Sequence, residues 1–148
     1  MNVLVDTSVW SLALRRKKTA RLNAEEQRLA KTLSDAIQDG RVSIIGPIRQ
    51  EILSGIKDVR QFETLRRDLQ AYRDEALTTE DYEAAARWYN VCRSHGVECG
   101  TVDILICTVA VRRTWQVLTN DSAMTNCLAV MRTAQHRAEA TKTQRQEQ

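Results

Sequence analysis

Four short apolar runs, none long enough for a helix, are separated by longer stretches with helical spacing, and this alternation constrains the fold more than any other feature of the chain. The runs are Asn2-Val3-Leu4-Val5, Val42-Ser43-Ile44-Ile45, Ala76-Leu77-Thr78 and Gln116-Val117-Leu118-Thr119. Strands alternating with helices predict an α/β domain with a short parallel sheet, of about four to five strands, flanked by helices on both faces. The first run stops at Asp6-Thr7-Ser8, which reads as a helix cap, and Trp10, Leu12 and Leu14 follow. Residues 23–39 read as a helix capped by Asn23, with Leu29, Leu33, Ala36 and Ile37 on one side and Gly40 at its end. After the second run, Gly46-Pro47 turns the chain into a helix that carries Ile48, Ile52 and Ile56. Further helices are expected at 59–73 and 79–94, the latter stopped by His95-Gly96. Val102 to Val111 is almost wholly apolar and too long for an ordinary strand, so it reads as a buried helix.

A chain of 148 residues is the size of one domain with a real core. Residues 1–132 are read as that domain. Residues 133–148 carry no apolar residue larger than alanine, and are read as an exposed helix extension or a loose polar tail. The net charge of +3, from 22 basic and 19 acidic residues, permits nucleic-acid contact without arguing for it. No apolar stretch is long enough for a membrane span and no leader is read before the first strand, so the expected place is the reducing cytoplasm. Cys92, Cys99, Cys107 and Cys127 form no CxxC pair. Cys92, His95 and Cys99 are close enough in sequence to offer part of a zinc site, but read first as buried or inert thiols and a helix-end histidine. His136 falls in the polar tail.

In open parallel sheets, sites form beyond the carboxyl ends of the strands. Asp6 and Asp121 follow the first and last runs, and each taken alone also reads as a helix cap. Asp103 sits inside Val102-Asp103-Ile104-Leu105-Ile106, where an unpaired buried carboxylate would cost several kcal/mol. It calls for a cation, or serves as the first-turn acid of a helix. Glu51 lies one turn from Ile48 at the edge of an apolar stripe, ordinary ground for a solvated glutamate. Four carboxylates converging on one point would repel unless cations neutralise them, and hard oxygen ligands suit Mg²⁺ or Mn²⁺. Such ions activate water and stabilise charge on a phosphodiester.

The motifs resemble those of VapC-type PIN-domain toxins. Asp6-Thr7-Ser8-Val9-Trp10 after an apolar strand is similar to the family's opening, and Pro47-Ile48-Arg49-Gln50-Glu51-Ile52-Leu53-Ser54-Gly55 to its second motif. Thr101-Val102-Asp103-Ile104-Leu105-Ile106 resembles the third, and Leu118-Thr119-Asn120-Asp121 the fourth. The ordered set spans roughly residues 1–130. The resemblance implies a PIN-like fold, a Mg²⁺-dependent (or Mn²⁺-dependent) endoribonuclease, a homodimer, and a VapB-like antitoxin that wraps the toxin, also as a toxin–antitoxin hetero-oligomer. It makes Asp6, Glu51, Asp103 and Asp121 the metal-site acids, with Thr7, Ser8 and Thr119 as supporting hydroxyls. Family members often carry a second aspartate and a phenylalanine after the fourth acid, where this chain has Ala123 and Met124. No closing strand is evident, since Cys127 to Met131 leads straight into the tail.

Other phosphoryl-transfer folds fail on single residues. A dehalogenase-like phosphatase wants an aspartate where Ser8 stands, and a response-regulator receiver wants a late lysine, yet after Lys57 only Lys142 remains. A PIN fold that binds RNA or protein without cutting, and a DNA-directed nuclease, stay as alternatives. Arg15-Arg16-Lys17-Lys18 reads either as a contact for RNA phosphates or as a solvated basic turn. Trp10 reads as a core residue before a base-stacking one, and Trp88 and Tyr89 as core or interface residues.

Overall fold

The computed structural model describes residues 1–14 and 21–147, so the basic cluster Arg15 to Lys18 lies outside the described residues. The chain runs β1 (Val3–Val5), α1 (Thr7–Leu14), α2 (Ala24–Gln38), β2 (Val42–Ser43), α3 (Gly46–Leu53), α4 (Val59–Leu69), α5 (Thr79–Ser94), α6 (Thr101–Arg113), β3 (Gln116–Leu118) and α7 (Ser122–Gln146). The three strands are parallel in the order β2-β1-β3. Val3 pairs with Val42 on one side and Gln116 on the other, and Val5 with Leu118. Successive strand residues point to opposite faces. Val3, Leu4 and Val5 are all buried, so both faces of the central strand are covered, as the near-continuous apolar run requires.

Among the described residues the sheet has fewer strands than the four to five expected. Ala76-Leu77-Thr78 does not form one. The pairing there is a single parallel bridge between Ile44 and Asp74, with the Glu75 N–H donating to the Ile44 carbonyl (2.8 Å). Thr78 is instead the cap of α5, in a reciprocal capping box with Asp81. No strand follows β3 among the described residues, because Cys127 to Met131 belong to α7.

The helices follow the sequence logic with local corrections. α2 starts at a capping box between Asn23 and Glu26 and buries Leu29, Leu33 and Ala36, but Ile37 is 39% exposed. α3 has Pro47 in its first turn and ends at Leu53; Gly55, at φ +87°, turns the chain and leaves Ile56 outside the helix. α4 stops at Leu69, four residues short of the expected end, where Gln70, Ala71 and Tyr72 bond back to carbonyls three residues earlier. α6 buries every residue from Ile104 to Ala110 and packs against α5, α7 and β3, while α1 packs against α2 and α3. α7 buries Met124, Cys127, Leu128 and Met131 and then continues, exposed, to Gln146, so the tail is a helix extension. Trp10 is buried and meets Tyr72 edge-on, and Trp88 and Tyr89 pack partly buried against the core. No helix among the described residues is long and apolar enough to cross a membrane.

One ionic cluster fastens the fold. Asp81, 1% exposed, accepts hydrogen bonds from Arg112 Nε (2.9 Å) and from Arg113 Nη1 and Nη2 (3.0 and 2.8 Å). It joins the first turn of α5 to the last turn of α6. The Arg113 guanidinium holds the Asp81 carboxyl far below the usual carboxylate range, against the opposing effect of burial.

Candidate active site

Because all three strands run the same way, their carboxyl ends share one edge, and the chain switches sides there between β1 and β3. Asp6 follows β1 directly, and its N–H continues the ladder to the Leu118 carbonyl (2.9 Å). Its own carbonyl accepts from Val9 and Trp10, starting α1. Asp121 heads α7, its Oδ1 accepting from the Ala123 N–H (2.8 Å). Asp103 lies in the first turn of α6, with Oδ2 about 3.3 Å from where a Cβ on Gly100 would stand. Both readings of these aspartates therefore hold: each sits at a helix N-terminus and each lines the same cleft.

That cleft has a volume of about 570 Å³ and is open to solvent. It is lined by Asp6, Thr7 and Ser8 from α1 and its approach, Glu51 from α3, Asp103 from α6 and Asp121 before α7. All four acids expected from the sequence are brought to it. The positive ends of α1, α6 and α7 meet there, which offsets carboxylate repulsion and also favours an anionic ligand. Partial burial pushes the Asp103 carboxyl above its ordinary value, and the charges of Asp6, Asp121 and Glu51 push it further; the Gly100 N–H works against them.

The supporting hydroxyls form a paired brace. Ser8 Oγ donates to Asp6 Oδ2 (2.7 Å) and accepts from the Asn120 N–H (3.0 Å). Thr119 Oγ1 donates to the same Oδ2 (3.0 Å) and accepts from the Asp121 N–H (3.0 Å). Asp6 is thus held by two hydroxyls whose own lone pairs are fixed by the β3–α7 turn. Thr7 Oγ1 donates to Glu51 Oε2 (2.7 Å), tying α1 to α3.

Three polar or turn-forming residues of the cleft wall were not singled out as site residues by sequence reasoning: Pro47, Gln50 and Ser54. Pro47, Gln50 and Glu51 recur at helical spacing along one face of α3 and Ser54 caps its end, a pattern that was legible in the sequence. Val102 also lines the wall. The candidate zinc ligands do not converge: the His95 Nδ1 lies 2.8 Å from the Val91 carbonyl, and Cys92 is buried in the core.

Among the described residues no three His, Cys, Asp or Glu side chains are close enough to enclose one ion. Mg²⁺ needs no such cage, since it keeps several waters and takes one or two carboxylates plus substrate oxygens. Every donor to Asp6 among the described residues goes to Oδ2, which keeps Oδ1 available to a cation. The all-oxygen donor set, and an Asp103 carboxyl crowded by three other acids, fit a hydrated hard cation.

Fold and cleft together define a class: a parallel α/β domain whose acids gather from separate elements at the carboxyl edge of its sheet. The family model described as PIN domain matches residues 3–127, and the chain belongs to that family. Among solved structures it is similar to the crystal structure of FitAcB from Neisseria gonorrhoeae, with a TM-score of 0.65 at 18% identity over 84% of this chain and 92% of that one. At that identity the likeness speaks for the fold alone. No curated protein matches the chain.

Proposed function

We propose that this chain is a Mg²⁺-dependent (or Mn²⁺-dependent) endoribonuclease toxin, acting in the cytoplasm as a homodimer and neutralised by a cognate VapB-like antitoxin. The observation that carries the reading is the convergence of Asp6, Glu51, Asp103 and Asp121 from four separate segments on one open cleft. The ordered resemblance of their motifs to VapC-type toxins supplies the choice of RNA and of an antitoxin partner. Residues 1–132 form the catalytic domain in this reading, and 133–148 extend its last helix.

Of Asp6, Asp103, Asp121 and Glu51, one or two would hold the cation directly and the others through its waters. When bound, the cation supplies an activated water and neutralises charge developing on the scissile phosphodiester. Ser8 and Thr119 fix the orientation of Asp6, and Thr7 fixes that of Glu51. The helix N-termini draw the phosphate toward the acids, which alone would repel it. Cleavage leaves a 5′-phosphate.

The test is incubation of total cellular RNA with the purified chain, in Mg²⁺ and in EDTA, beside an Asp103→Asn variant. Discrete products that need both the ion and Asp103 are expected. No cleavage with Mg²⁺ or Mn²⁺ would refute the reading, leaving a non-cutting PIN-fold binder. Cleavage of DNA in preference to RNA would refute the substrate assignment and keep the chemistry.

A further inference from the structure

The four cysteines share no chemistry in the sequence, yet two of them meet in the fold. Cys127 Sγ lies 2.9 Å from Cys99 Sγ, across 28 positions of chain. Cys127 is fully buried on α7, whereas Cys99 is partly exposed in the segment just before Gly100, the cap of α6. A disulfide spans about 2.05 Å, so the two sulfurs need approach by less than an ångström. The other two thiols bond to carbonyls, Cys92 to that of Cys127 and Cys107 to that of Met124, each at 3.9 Å; Cys92 also neighbours the Cys127 thiol, but only Cys99 meets its sulfur at 2.9 Å.

We propose that Cys99 and Cys127 form a reversible disulfide, with Cys99 meeting a hydroperoxide and Cys127 resolving it. In the first step the Cys99 thiolate attacks a peroxide oxygen and the O–O bond breaks, giving a sulfenic acid and, with H₂O₂, a hydroxide that takes up the proton the thiol released and leaves as one water. In the second, Cys127 sulfur attacks the Cys99 sulfur, its thiol proton and the departing hydroxide leaving as a second water. Two thiols are oxidised and one peroxide is reduced. Exogenous dithiol reverses the bond by exchange. Burial pushes the Cys99 thiol upward, reinforced by its contact with Cys127, so the first step is slow at neutral pH and faster in alkali. The crosslink ties the segment leading into α6, which carries Asp103, to α7, which Asp121 heads. This inference rests on sulfur geometry and is independent of the catalytic reading.

The experiment treats the full chain with H₂O₂ at pH 8.5 and counts free thiols. The expected result is a fall from four thiols to two, one Cys99–Cys127 linked peptide, recovery on adding dithiothreitol, and a melting temperature raised by several degrees. Cys99→Ser and Cys127→Ala should each lose that linked peptide, and Cys92→Ser should keep it. Four thiols persisting in excess peroxide, a Cys99 sulfinic acid without crosslinking, or a Cys92–Cys127 link would each overturn the proposal.

Discussion

Replacing Asp81 by Asn tests whether the ionic cluster between α5 and α6 fastens the helix that presents Asp103. The wild-type carboxylate accepts from Arg112, from two nitrogens of Arg113 and from the Thr78 N–H. Asparagine keeps the shape, turns one acceptor into a donor facing those donors, and removes the buried charge the two guanidiniums share, leaving Arg113 only Glu75 and Arg112 only the exposed Glu80. Breaking a fully buried pair in this way costs about 3–5 kcal/mol. The Arg112 and Arg113 side chains are 35% and 18% exposed, so water recovers part of that, leaving roughly 2–3 kcal/mol. Weakening the capping box adds roughly 0.5–1 kcal/mol. A total of about 3 kcal/mol corresponds to a melting temperature lower by roughly 6–12 °C for a chain of this size. Calorimetry at pH 7 reads it directly. The sign with pH is also set: a depressed carboxyl stabilises the fold above its unfolded value of 3.8 and loses that contribution as pH falls through the folded value. The gap between the two proteins should therefore be full at pH 5 and close only below pH 3.8. A drop smaller than about 2 °C at pH 7, or a gap unchanged in strong acid, would refute the reasoning.

Three further outcomes concern the cleft. Asp6→Asn and Asp103→Asn should each abolish metal-dependent cleavage while leaving the circular dichroism spectrum unchanged, and full activity in either would remove that residue from the site. Because the Asp103 carboxyl is raised, its ionisation destabilises the metal-free fold above the folded value and that cost is relieved as pH falls through it. Metal-free Asp103→Asn should thus melt higher than the wild type at pH 7, while Mg²⁺ should raise the wild-type melting temperature and hardly move the variant's. Thr119→Val removes the donor to Asp6 and the acceptor for the Asp121 N–H, and should weaken Mn²⁺ binding by about 10-fold or more in a spin-resonance titration; unchanged affinity would make the brace purely structural.

The acids were legible because a strand-ending aspartate and a carboxylate inside an apolar helix are both anomalies of pattern. Asp103 interrupted an apolar run, Asp6 and Asp121 followed the ends of strand-like runs, and Glu51 became visible only through its motif. The hydroxyl brace was legible in part: Ser8 and Thr119 lie beside the acids, but their sharing of one oxygen depends on β1 and β3 being neighbours. The overcounted strand had a local cause, since Thr78 met the needs of a helix cap before those of a sheet. Ile56 fell outside α3 because a positive φ at Gly55 overrode an apolar spacing of four. The Cys99–Cys127 contact and the Asp81 cluster join residues about 30 positions apart, and periodicity carries no information about such pairs.

The placing of the aspartates at helix N-termini has an evolutionary side. Asparagine caps a helix about as well as aspartate. Asp121 therefore differs from a serviceable structural residue by one change from carboxylate to amide, and the fold has little means of registering the loss. Under the proposed function only selection on chemistry would hold Asp121 in place, so a lineage could drift from cutting to mere binding while its scaffold stays intact.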